Sequence, residues 1–589
     1  MGLFATLLKG FDPVKSVFVL EGLRDGFRLG LGTYGPFPPT RLWIESFVPV
    51  PESRGRITSY LTEEVSLRRI FGPFLAVPDT FFWDRVNVSP MSEVLRGDGR
   101  YRTITNLSAG GPGNSINGFI LDSATVVVYP TFLQVAQNFV TIGLDTAWVA
   151  LFDVQAAYRN LRVHHLDWKY CIIAWRDLVT LVRQYWIDVS LMFGGRAGCA
   201  TYDAFGEALE WILCNVCFAA DVISFPELLC LVIRYLDDHL LFGRSELNVN
   251  ATLDRMLALM AELNVPVKHP KTVRATTAIK FSGYWWDSRA DCVSLDKERW
   301  LSIEAQLVNL STLLSSSEAS AQDLRCVSGT LVWASRVFPG SKVFIRGMQL
   351  ALRALGATSI PASAARLIII SDPALVAEIR FDLSWWFELC AQHRLMGDAK
   401  IGFPISLIVN PVAVVESLCS LVFFCDASRH GLGIFRQGSP GTLWAWAPLP
   451  SNITLRQRCT VTGDDRKMVS SGYAEAAGLL MGLLCFLPIW AGENPSRKPG
   501  APVWVWTDSS SVVGMWASRR AAPALLPYLR AFTLLSSLYG IVLSINHIPG
   551  SENTTADAIS RTKWQVFRAL QPHATRLSLA VPSESTLFL

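Results

Sequence analysis

The chain has 589 residues, a length that predicts several domains, and its composition of 50% hydrophobic and 17% charged residues excludes intrinsic disorder as the main state. The net charge of +4 is too small to indicate a nucleic-acid partner by itself. The 12 scattered cysteines exclude a disulfide scaffold and favour a reducing, intracellular location, in the cytoplasm or the nucleus.

The first half of the chain alternates between strand-like and helical patterns after a distinct N-terminal segment. Residues 1–59 contain a stretch rich in Gly and Pro and predict an extended arm. Residues 146–155 predict a strand that runs into Asp153. Residues 200–219 carry apolar side chains at helical spacing and predict a helix. Further on, two short apolar runs flank Asp237 and Asp238 and predict a β-hairpin with an acidic tip.

The second half predicts a helical region followed by a separate α/β domain. Residues 296–400 show mostly helical patterns, and residues 396–415 predict a linker. From about residue 418 strands and helices alternate again. Within this part, residues 476–492 are uncharged and apolar, but they are fewer than the roughly 20 residues that a membrane span needs and include Pro488. We therefore predict a buried helix there and no membrane span.

Two adjacent carboxylates inside an apolar hairpin need a physical reason, because burial and mutual repulsion both disfavour their charged forms. Mg²⁺ supplies one, since it prefers carboxylate oxygens together with substrate phosphates. A two-metal phosphoryl-transfer site needs shared carboxylates around ions about 3.5–4 Å apart. Asp153, at the end of its strand, is the candidate third acid beside Asp237 and Asp238. Taken without context, the acid pair is better explained by an ordinary solvated turn.

Six motifs, in chain order, form the context of the acid pair: "GDGRYRTITNLS" (97–108), "FDVQAAYRNLRVH" (152–164), "MFGGRAGCATYDAF" (192–205), "YLDD" (235–238), "VKHPKT" (267–272) and "FSGYWWD" (281–287). Together, and in this order, they resemble the motifs of the reverse transcriptases of long-terminal-repeat-type retroelements, and most closely those of the DIRS type.

The resemblance implies an α+β right-hand polymerase, with fingers, a palm built on an RRM-like sheet and a helical thumb, followed by an α/β domain like ribonuclease H. The implied domains are an N-terminal arm (1–59), fingers and palm (60–290), a helical thumb or connection (291–410), a ribonuclease H domain (418–565) and a C-terminal tail (566–589).

The resemblance also implies the ligands of two Mg²⁺ ions in the polymerase site. These ligands are Asp153, Asp237, Asp238 and the backbone carbonyl of Val154. In the family's reaction, the deprotonated 3′-hydroxyl of the primer attacks the α-phosphate of a deoxynucleotide and pyrophosphate leaves.

Five further side chains match positions that bind the incoming nucleotide in this family. Arg102 would bind the triphosphate, because a planar guanidinium pairs well with phosphate oxygens. Tyr158 would block a ribose 2′-hydroxyl. Phe193 and Gly194 would lie beside the nucleotide, and Lys271 would protonate the leaving pyrophosphate. The plainer alternatives are core packing for Tyr158 and solvated surface positions for Arg102 and Lys271.

A second set of acids follows residue 418. Asp426, Glu475, Asp508 and Asp557 lie at the ends of predicted strands and helices, and any one of them is explained by a solvated helix start. Together they resemble the Asp-Glu-Asp-Asp set of ribonuclease H, which holds two Mg²⁺ ions and cuts the RNA strand of an RNA–DNA hybrid. His547 matches the mobile His of that family, which assists product release or proton transfer.

The two resemblances together imply an RNA-directed DNA polymerase with ribonuclease H activity. Its partners would be an RNA template, a DNA primer, RNA–DNA hybrids and deoxynucleoside triphosphates, and Asn553 matches an Asn that contacts the substrate. Two alternatives stay open: a polymerase that uses DNA templates or adds untemplated nucleotides, and a domesticated nucleic-acid-binding scaffold. Four clustered acids weigh against the scaffold, because they repel one another without a metal.

Overall fold

The computed structural model describes residues 2–31, 41–42, 51–77, 86–95, 101–111, 115–176, 182–217, 230–338, 340–395, 402–409, 419, 421–436, 441–449, 464–495, 500–519, 521–522 and 525–577. The chain forms two compact units, Met1–Thr277 and Ala278–Leu589, and each is described by itself.

The first unit contains helices and two sheets. Its helices are α1 (Gly2–Leu7), α2 (Pro13–Asp25), α3 (Pro51–Ser66), α4 (Ile116–Phe119), α5 (Phe132–Ile142), α6 (Gly198–Cys217) and α7 (Glu246–Glu262). Its strands are β1 (Arg41–Leu42), β2 (Ile70–Phe74), β3 (Asn87–Leu95), β4 (Tyr101–Thr105), β5 (Trp148–Asp153), β6 (Ile172–Arg176), β7 (Arg183–Asp188), β8 (Cys230–Tyr235), β9 (Asp238–Gly243) and β10 (Val273–Thr276).

The smaller of these sheets carries the first set of predicted acids. Its strand order is β10-β5-β9-β8, and all neighbouring strands are antiparallel. Helices α6 and α7 pack against it, because both present apolar residues at helical spacing to a shared core. The predicted strand into Asp153 and the predicted hairpin at Asp237 and Asp238 are therefore confirmed as β5 and β8–β9. The helix predicted over 200–219 is confirmed as α6 as far as Cys217, and residues 218 and 219 lie outside the described residues.

The prediction of an extended N-terminal arm is wrong for the residues that the structure describes. Helices α1 and α2 pack on α6, with Phe4 6.1 Å from Phe205 and Phe11 5.8 Å from Trp211, measured between ring centroids. Burial of these aromatic rings outweighs the coil preference of the neighbouring Gly- and Pro-rich stretch. Residues 32–40 and 43–50 lie outside the described residues.

The second unit begins with an antiparallel sheet and a helical region and ends with a larger mixed sheet. Its strands are β11 (Ala278–Phe281), β12 (Tyr284–Asp287), β13 (Cys292–Leu295), β14 (Gly402–Phe403), β15 (Leu421–Ser428), β16 (Gly431–Arg436), β17 (Leu443–Ala447), β18 (Ala501–Thr507), β19 (Ile541–His547) and β20 (Thr575–Arg576). Its helices are α8 (Lys297–Ser315), α9 (Ala321–Ala334), α10 (Arg346–Ala354), α11 (Ala362–Ala365), α12 (Pro373–Leu395), α13 (Ile405–Val409), α14 (Asp464–Glu493), α15 (Ser510–Ser518), α16 (Leu526–Tyr539), α17 (Thr554–Ser560) and α18 (Trp564–Leu570).

The described part of the predicted linker contains a strand and a helix, and residues 396–401 and 410–415 lie outside the described residues. Within residues 396–415, β14 pairs with β13, and Ile405 at the start of α13 is fully buried. The linker prediction is wrong for these residues, because a two-residue strand and a one-turn helix give too short a pattern to be recognised in sequence.

The mixed sheet has the order β19-β18-β15-β16-β17-β20. Strands β15, β18 and β19 are parallel, whereas β16 is antiparallel to both β15 and β17. The three parallel strands therefore end at the same edge of the sheet, and this edge carries the second set of acids. Within α14, Gly472–Glu493 is long and apolar enough to cross a membrane, but 67% of its apolar window is buried, so it is weak evidence for a span.

Two candidate carboxylate sites

The first candidate site lies where β5 ends beside the β8–β9 turn. Asp153, the last residue of β5, is directly opposite Asp238, the first residue of β9. Asp237 lies in the turn, where Leu236 adopts a left-handed φ of 54°. The backbone amide of Val154 donates to the carbonyl of Asp237 at 3.0 Å. The structure thus brings the three predicted acids and Val154 to one end of the sheet.

The carboxylates of this site are crowded and partly withdrawn from water. Burial, together with the charges of Asp237 and Asp153, raises the pKa of Asp238 to about 7. Burial, and then the charge of Asp153, raises the pKa of Asp237. Asp153 is only 3% exposed, and its carboxylate forms an ion pair with the ammonium group of Lys271. Burial disfavours the charged form of Lys271, but the hydrogen bond and the charge of Asp153 outweigh it and raise the pKa of Lys271.

Three of the predicted nucleotide-binding side chains form one row. The exposed guanidinium of Arg102, on β4, lies over the ring of Phe193 at 4.5 Å. The centroid of the Phe193 ring is 5.9 Å from that of Tyr158. The hydroxyl of Tyr158 donates to the Sγ of Cys199 at 3.1 Å. Burial, first of all, raises the pKa of Tyr158, so this phenol is neutral at physiological pH.

Gly194 meets a steric requirement inside the protein. It adopts a φ of +107°, and a Cβ atom at this position would collide with the carbonyl oxygen of Thr105. Its own carbonyl accepts a hydrogen bond of 2.8 Å from the side chain of Asn117. The close approach that glycine allows here is therefore between two segments of the chain.

The second candidate site is a tighter cluster at the edge of the mixed sheet. Asp426 lies on β15, Asp508 follows β18, and Glu475 lies on α14. One carboxylate oxygen of each lies within 4.8 Å of the other two, which meets the spacing that a metal ion requires. Among the residues that the structure describes, this is the one set of three acidic residues whose carboxylate oxygens approach one another this closely. Asp153, Asp237 and Asp238 are more widely spread.

Polar groups of the chain hold two of these acids in place. The hydroxyl of Ser560 donates to the carboxylate of Asp426. The backbone amide of Ala427 donates to Glu475 at 3.0 Å, and the hydroxyl of Thr507 donates to it at 3.4 Å. These donors fix the orientation of the carboxylates without neutralising them.

The pKa values of the cluster are all displaced upwards. Burial raises the pKa of Asp426 to about 7, and the nearby charges of Asp508 and Asp557 act in the same direction. Burial and the charge of Asp426 raise the pKa of Glu475 well above its usual range. Burial also raises the pKa of Asp508. The cluster therefore disfavours the ionised forms of its acids unless a proton or a cation balances their charge.

Asp557 and His547 lie at the rim of this cluster. Asp557, on α17, forms ion pairs with Arg561 and, at 3.3 Å, with Lys563. His547 ends β19 directly beside Thr507 of β18, and its side chain is exposed. The structure therefore brings both residues to the edge that carries the other three acids, with Asp557 turned towards its basic partners.

Asn553 has a structural position that its sequence motif does not reveal. It is 2% exposed, and its amide donates to the carbonyl of Cys425, the residue before Asp426, at 2.9 Å. The expectation that Asn553 contacts substrate is wrong for this structure, because a buried amide that holds β15 is not accessible to a nucleic acid.

Sequence reasoning missed Ser560, Arg561 and Lys563. The first two were detectable, because residues three and four positions after Asp557 on a helix share its face. The hydrogen bond from Ser560 to Asp426 spans 134 residues and has no local signal.

No family model matches the sequence, and no curated protein matches it. Among solved structures, the chain is similar to a foamy viral protease-reverse transcriptase dRH in complex with dsDNA, at 12% identity and a TM-score of 0.38, covering 92% of this chain and 81% of that one. It is also similar to a foamy viral protease-reverse transcriptase bound to an RNA/DNA hybrid (12% identity, TM-score 0.39, 92% and 62% covered) and bound to dsDNA (13%, 0.35, 92% and 97%). At TM-scores below 0.5 these likenesses are too distant to indicate a function.

Proposed function

We propose that the chain is an RNA-directed DNA polymerase with a ribonuclease H centre. The proposal depends on one observation: the chain has two separate clusters of acidic side chains, and each cluster lies at the strand ends of a different sheet. Residues 60–290 would be fingers and palm, residues 291–410 the thumb or connection, and residues 418–565 the ribonuclease H domain. A retroelement-like chain with two such groups would synthesise DNA at the first and cut the RNA strand of the hybrid at the second.

The chemistry of both sites fits Mg²⁺. All the side-chain donors are carboxylate oxygens, which this hard cation prefers. The raised pKa values at the second site reflect burial first and then the charges of the neighbouring acids, and a divalent cation would stabilise the ionised forms. Asp153, Asp237, Asp238 and the Val154 carbonyl would hold it at the first site, and Asp426, Glu475, Asp508 and Asp557 at the second. When bound, Mg²⁺ polarises phosphoryl oxygens and stabilises the charge that develops on them.

At the first site, the chain's own residues would orient the nucleotide. The exposed guanidinium of Arg102 is free to bind phosphate oxygens in a bidentate manner. The neutral ring of Tyr158, supported by Phe193, would exclude a ribose 2′-hydroxyl by steric contact. Lys271 keeps its proton, since its pKa is raised, and could donate it to the leaving pyrophosphate once substrate and metal compete for Asp153.

At the second site, the chain's own residues would position the acids and move a proton. Ser560 and the amide of Ala427 hold the carboxylates of Asp426 and Glu475 at fixed angles. The exposed imidazole of His547 lies at the same edge and can transfer a proton to the departing RNA 3′-oxygen or assist product release.

The test is a crossed pair of variants in the full chain. Primer extension on poly(rA)/oligo(dT) and cleavage of a labelled RNA–DNA hybrid are measured side by side with Mg²⁺. We expect Asp237→Asn to abolish extension and spare cleavage, and Asp426→Asn to do the reverse, because loss of charge at a metal ligand removes several kcal/mol of transition-state stabilisation. Loss of both activities in either variant contradicts two independent sites.

The same assay separates the alternatives. Extension on a DNA template with none on poly(rA) would favour a DNA-templated polymerase, and addition without template would favour terminal transfer. Hybrid binding in the wild type without either activity would favour the scaffold.

A further inference from the structure

The turn that carries Asp237 is flanked by two buried polar side chains. Arg234 on β8 and His239 on β9 are direct cross-strand partners, one pair before the turn. They are 7% and 0% exposed, respectively. Cross-strand partners point to the same face of a sheet, so both side chains lie on the face opposite to that of Asp153 and Asp238, because Asp238 comes one residue before His239 on β9.

Arg234 connects the turn to helix α6. Its Nη1 donates to the carbonyl of Leu236 at 3.3 Å, and its Nη2 donates to Asp203 at 2.7 Å. Its Nε donates to Glu210 at 3.3 Å. A Cβ atom on Gly206 would lie 2.7 Å from Nη1, so the glycine leaves space for the guanidinium against the helix.

His239 forms a hydrogen bond with the next carbonyl of the turn, that of Asp237. Its ring stacks on Phe152 with centroids 4.6 Å apart and an interplanar angle of 6°. Its Nδ1 is 3.3 Å from the carbonyl oxygen of Asp237. Burial, and next the charge of Arg234, lower the pKa of His239 to about 3, so the ring is neutral. A carbonyl oxygen only accepts, so the single proton of the ring lies on Nδ1.

The carbonyl of Asp237 therefore receives two donors, the amide of Val154 at 3.0 Å and Nδ1 of His239. The carbonyl of Leu236, which adopts a left-handed φ, receives Arg234. The carbonyls of both turn residues, Leu236 and Asp237, therefore accept hydrogen bonds from side chains on one face of the sheet. The carboxylates of the candidate site lie at the end of the sheet, beside this turn. Nothing in the sequence motif around Asp237 requires a His or an Arg at these two positions.

We propose that Arg234 and His239 are positioning residues that hold the two carbonyls of the turn and thereby set the carboxylate of Asp237 against that of Asp153. The proposal rests on the proposed polymerase function for its catalytic consequence, but its structural part can be measured without activity. Neither residue would touch substrate or metal.

The experiment compares His239→Leu, which keeps apolar volume but removes the donor, with His239→Asn, whose amide can replace Nδ1. Phe242→Leu is the matched control, because Phe242 is also fully buried on β9 but lies away from the turn. Amide hydrogen exchange of peptides spanning Cys230–Gly243 is measured with primer-extension kcat and KM for deoxynucleotide.

We expect His239→Leu to speed exchange of the turn amides and to lower kcat, each about tenfold, as loss of one buried hydrogen bond predicts, with KM within about twofold. His239→Asn should return both to within about threefold of the wild type. Hybrid cleavage should stay unchanged in all variants, which reports an intact second unit. Arg234→Lys, which keeps a charge beside Asp203 but cannot span acid and carbonyl together, should also speed exchange at the turn.

Unchanged exchange at the turn in His239→Leu and Arg234→Lys would overturn the proposal. The proposal would also be overturned if Phe242→Leu changed exchange and kcat as much as His239→Leu does. The same holds if His239→Asn restored neither quantity, because both outcomes indicate that the effect comes from packing alone. Absence of primer extension in the wild type would refute the proposed function but would leave the exchange comparison valid. An active wild type with unaffected variants would refute only the positioning role.

Discussion

The substitution Asp426→Asn should stabilise the second unit in the absence of metal, although it removes a residue of the proposed cleavage site. Asp426 is 3% exposed and lies beside Glu475 and Asp508, and the charge of Arg561 only partly offsets the rise in its pKa that burial and the neighbouring acids cause. An amide has nearly the shape of the carboxylate and can still accept the hydrogen bond from Ser560. The substitution removes one of the repelling charges, so the free energy of unfolding of the metal-free protein should increase.

The magnitude follows from the displaced pKa. A rise from 3.8 to about 7 corresponds to about 4 kcal/mol of destabilisation when the carboxylate is ionised. Because the folded-state pKa is raised, the folded state binds more protons than the unfolded state between these values, and stability falls as pH rises from about 4 to about 7. The weaker hydrogen bond of Ser560 to an amide offsets about 1 kcal/mol. We therefore expect a net gain of about 2–3 kcal/mol at pH 8, which shrinks towards zero near pH 4.

The assay is hydrogen exchange of peptides within Leu421–Arg436 in EDTA at pH 5 and pH 8, with rates corrected for intrinsic exchange. Glu552→Gln, an exposed acid in the same unit, is the control for the change in net charge. Added Mg²⁺ should stabilise the wild type by about 2.7 kcal/mol at a hundredfold excess over Kd, and should stabilise the Asn variant less. A variant that is less stable than the wild type at pH 8 in EDTA would refute the repulsion argument.

Three further predictions concern single side chains. Tyr158→Ala should raise ribonucleotide incorporation, measured as the ratio of kcat/KM for dGTP over rGTP, and an unchanged ratio would indicate core packing; deoxynucleotide synthesis should be only partly reduced. Gly194→Ala should lower thermal stability and primer extension, since its Cβ collides with the Thr105 carbonyl, and wild-type melting would contradict this steric reading. Asp382→Ala should destabilise the second unit by about 3–5 kcal/mol in denaturant unfolding, because it leaves the buried Arg530 without its ion-pair partner, whereas the double replacement by Leu and Met should recover most of the loss.

The parts of the first site that were predictable are those with a strong local pattern. Strand β5 and the hairpin were recognisable because apolar runs end at Asp153 and flank Asp237 and Asp238, and a charged residue in such a run marks a strand end. The ion pair of Asp153 with Lys271 joins residues 118 positions apart, so it depends on strand pairing that no local pattern reveals. The nucleotide-binding roles of the individual side chains stay predictions.

The N-terminal helices show a signal that was present but overlooked. Asp12 accepts a hydrogen bond from the amide of Lys15 at 2.9 Å, and Pro13 occupies the first position of α2. An Asp followed by Pro is a typical helix start. The prediction of an extended arm over residues 1–59 depends on the Gly- and Pro-rich stretch beyond residue 30, and the composition of that stretch does not bear on residues 2–25.

The two sites reduce the cost of crowded carboxylates in different ways. In the first, Lys271 places a positive charge on Asp153, and the acids are spread over a strand end and a turn. In the second, Asp426 and Glu475 receive hydroxyl and amide donors, and Arg561 and Lys563, which follow α17, pair with Asp557 instead. Hydrogen bonds orient a carboxylate but leave its charge in place, whereas an ion pair compensates it. The second site therefore depends more on an external cation for charge balance, which follows from its tighter spacing.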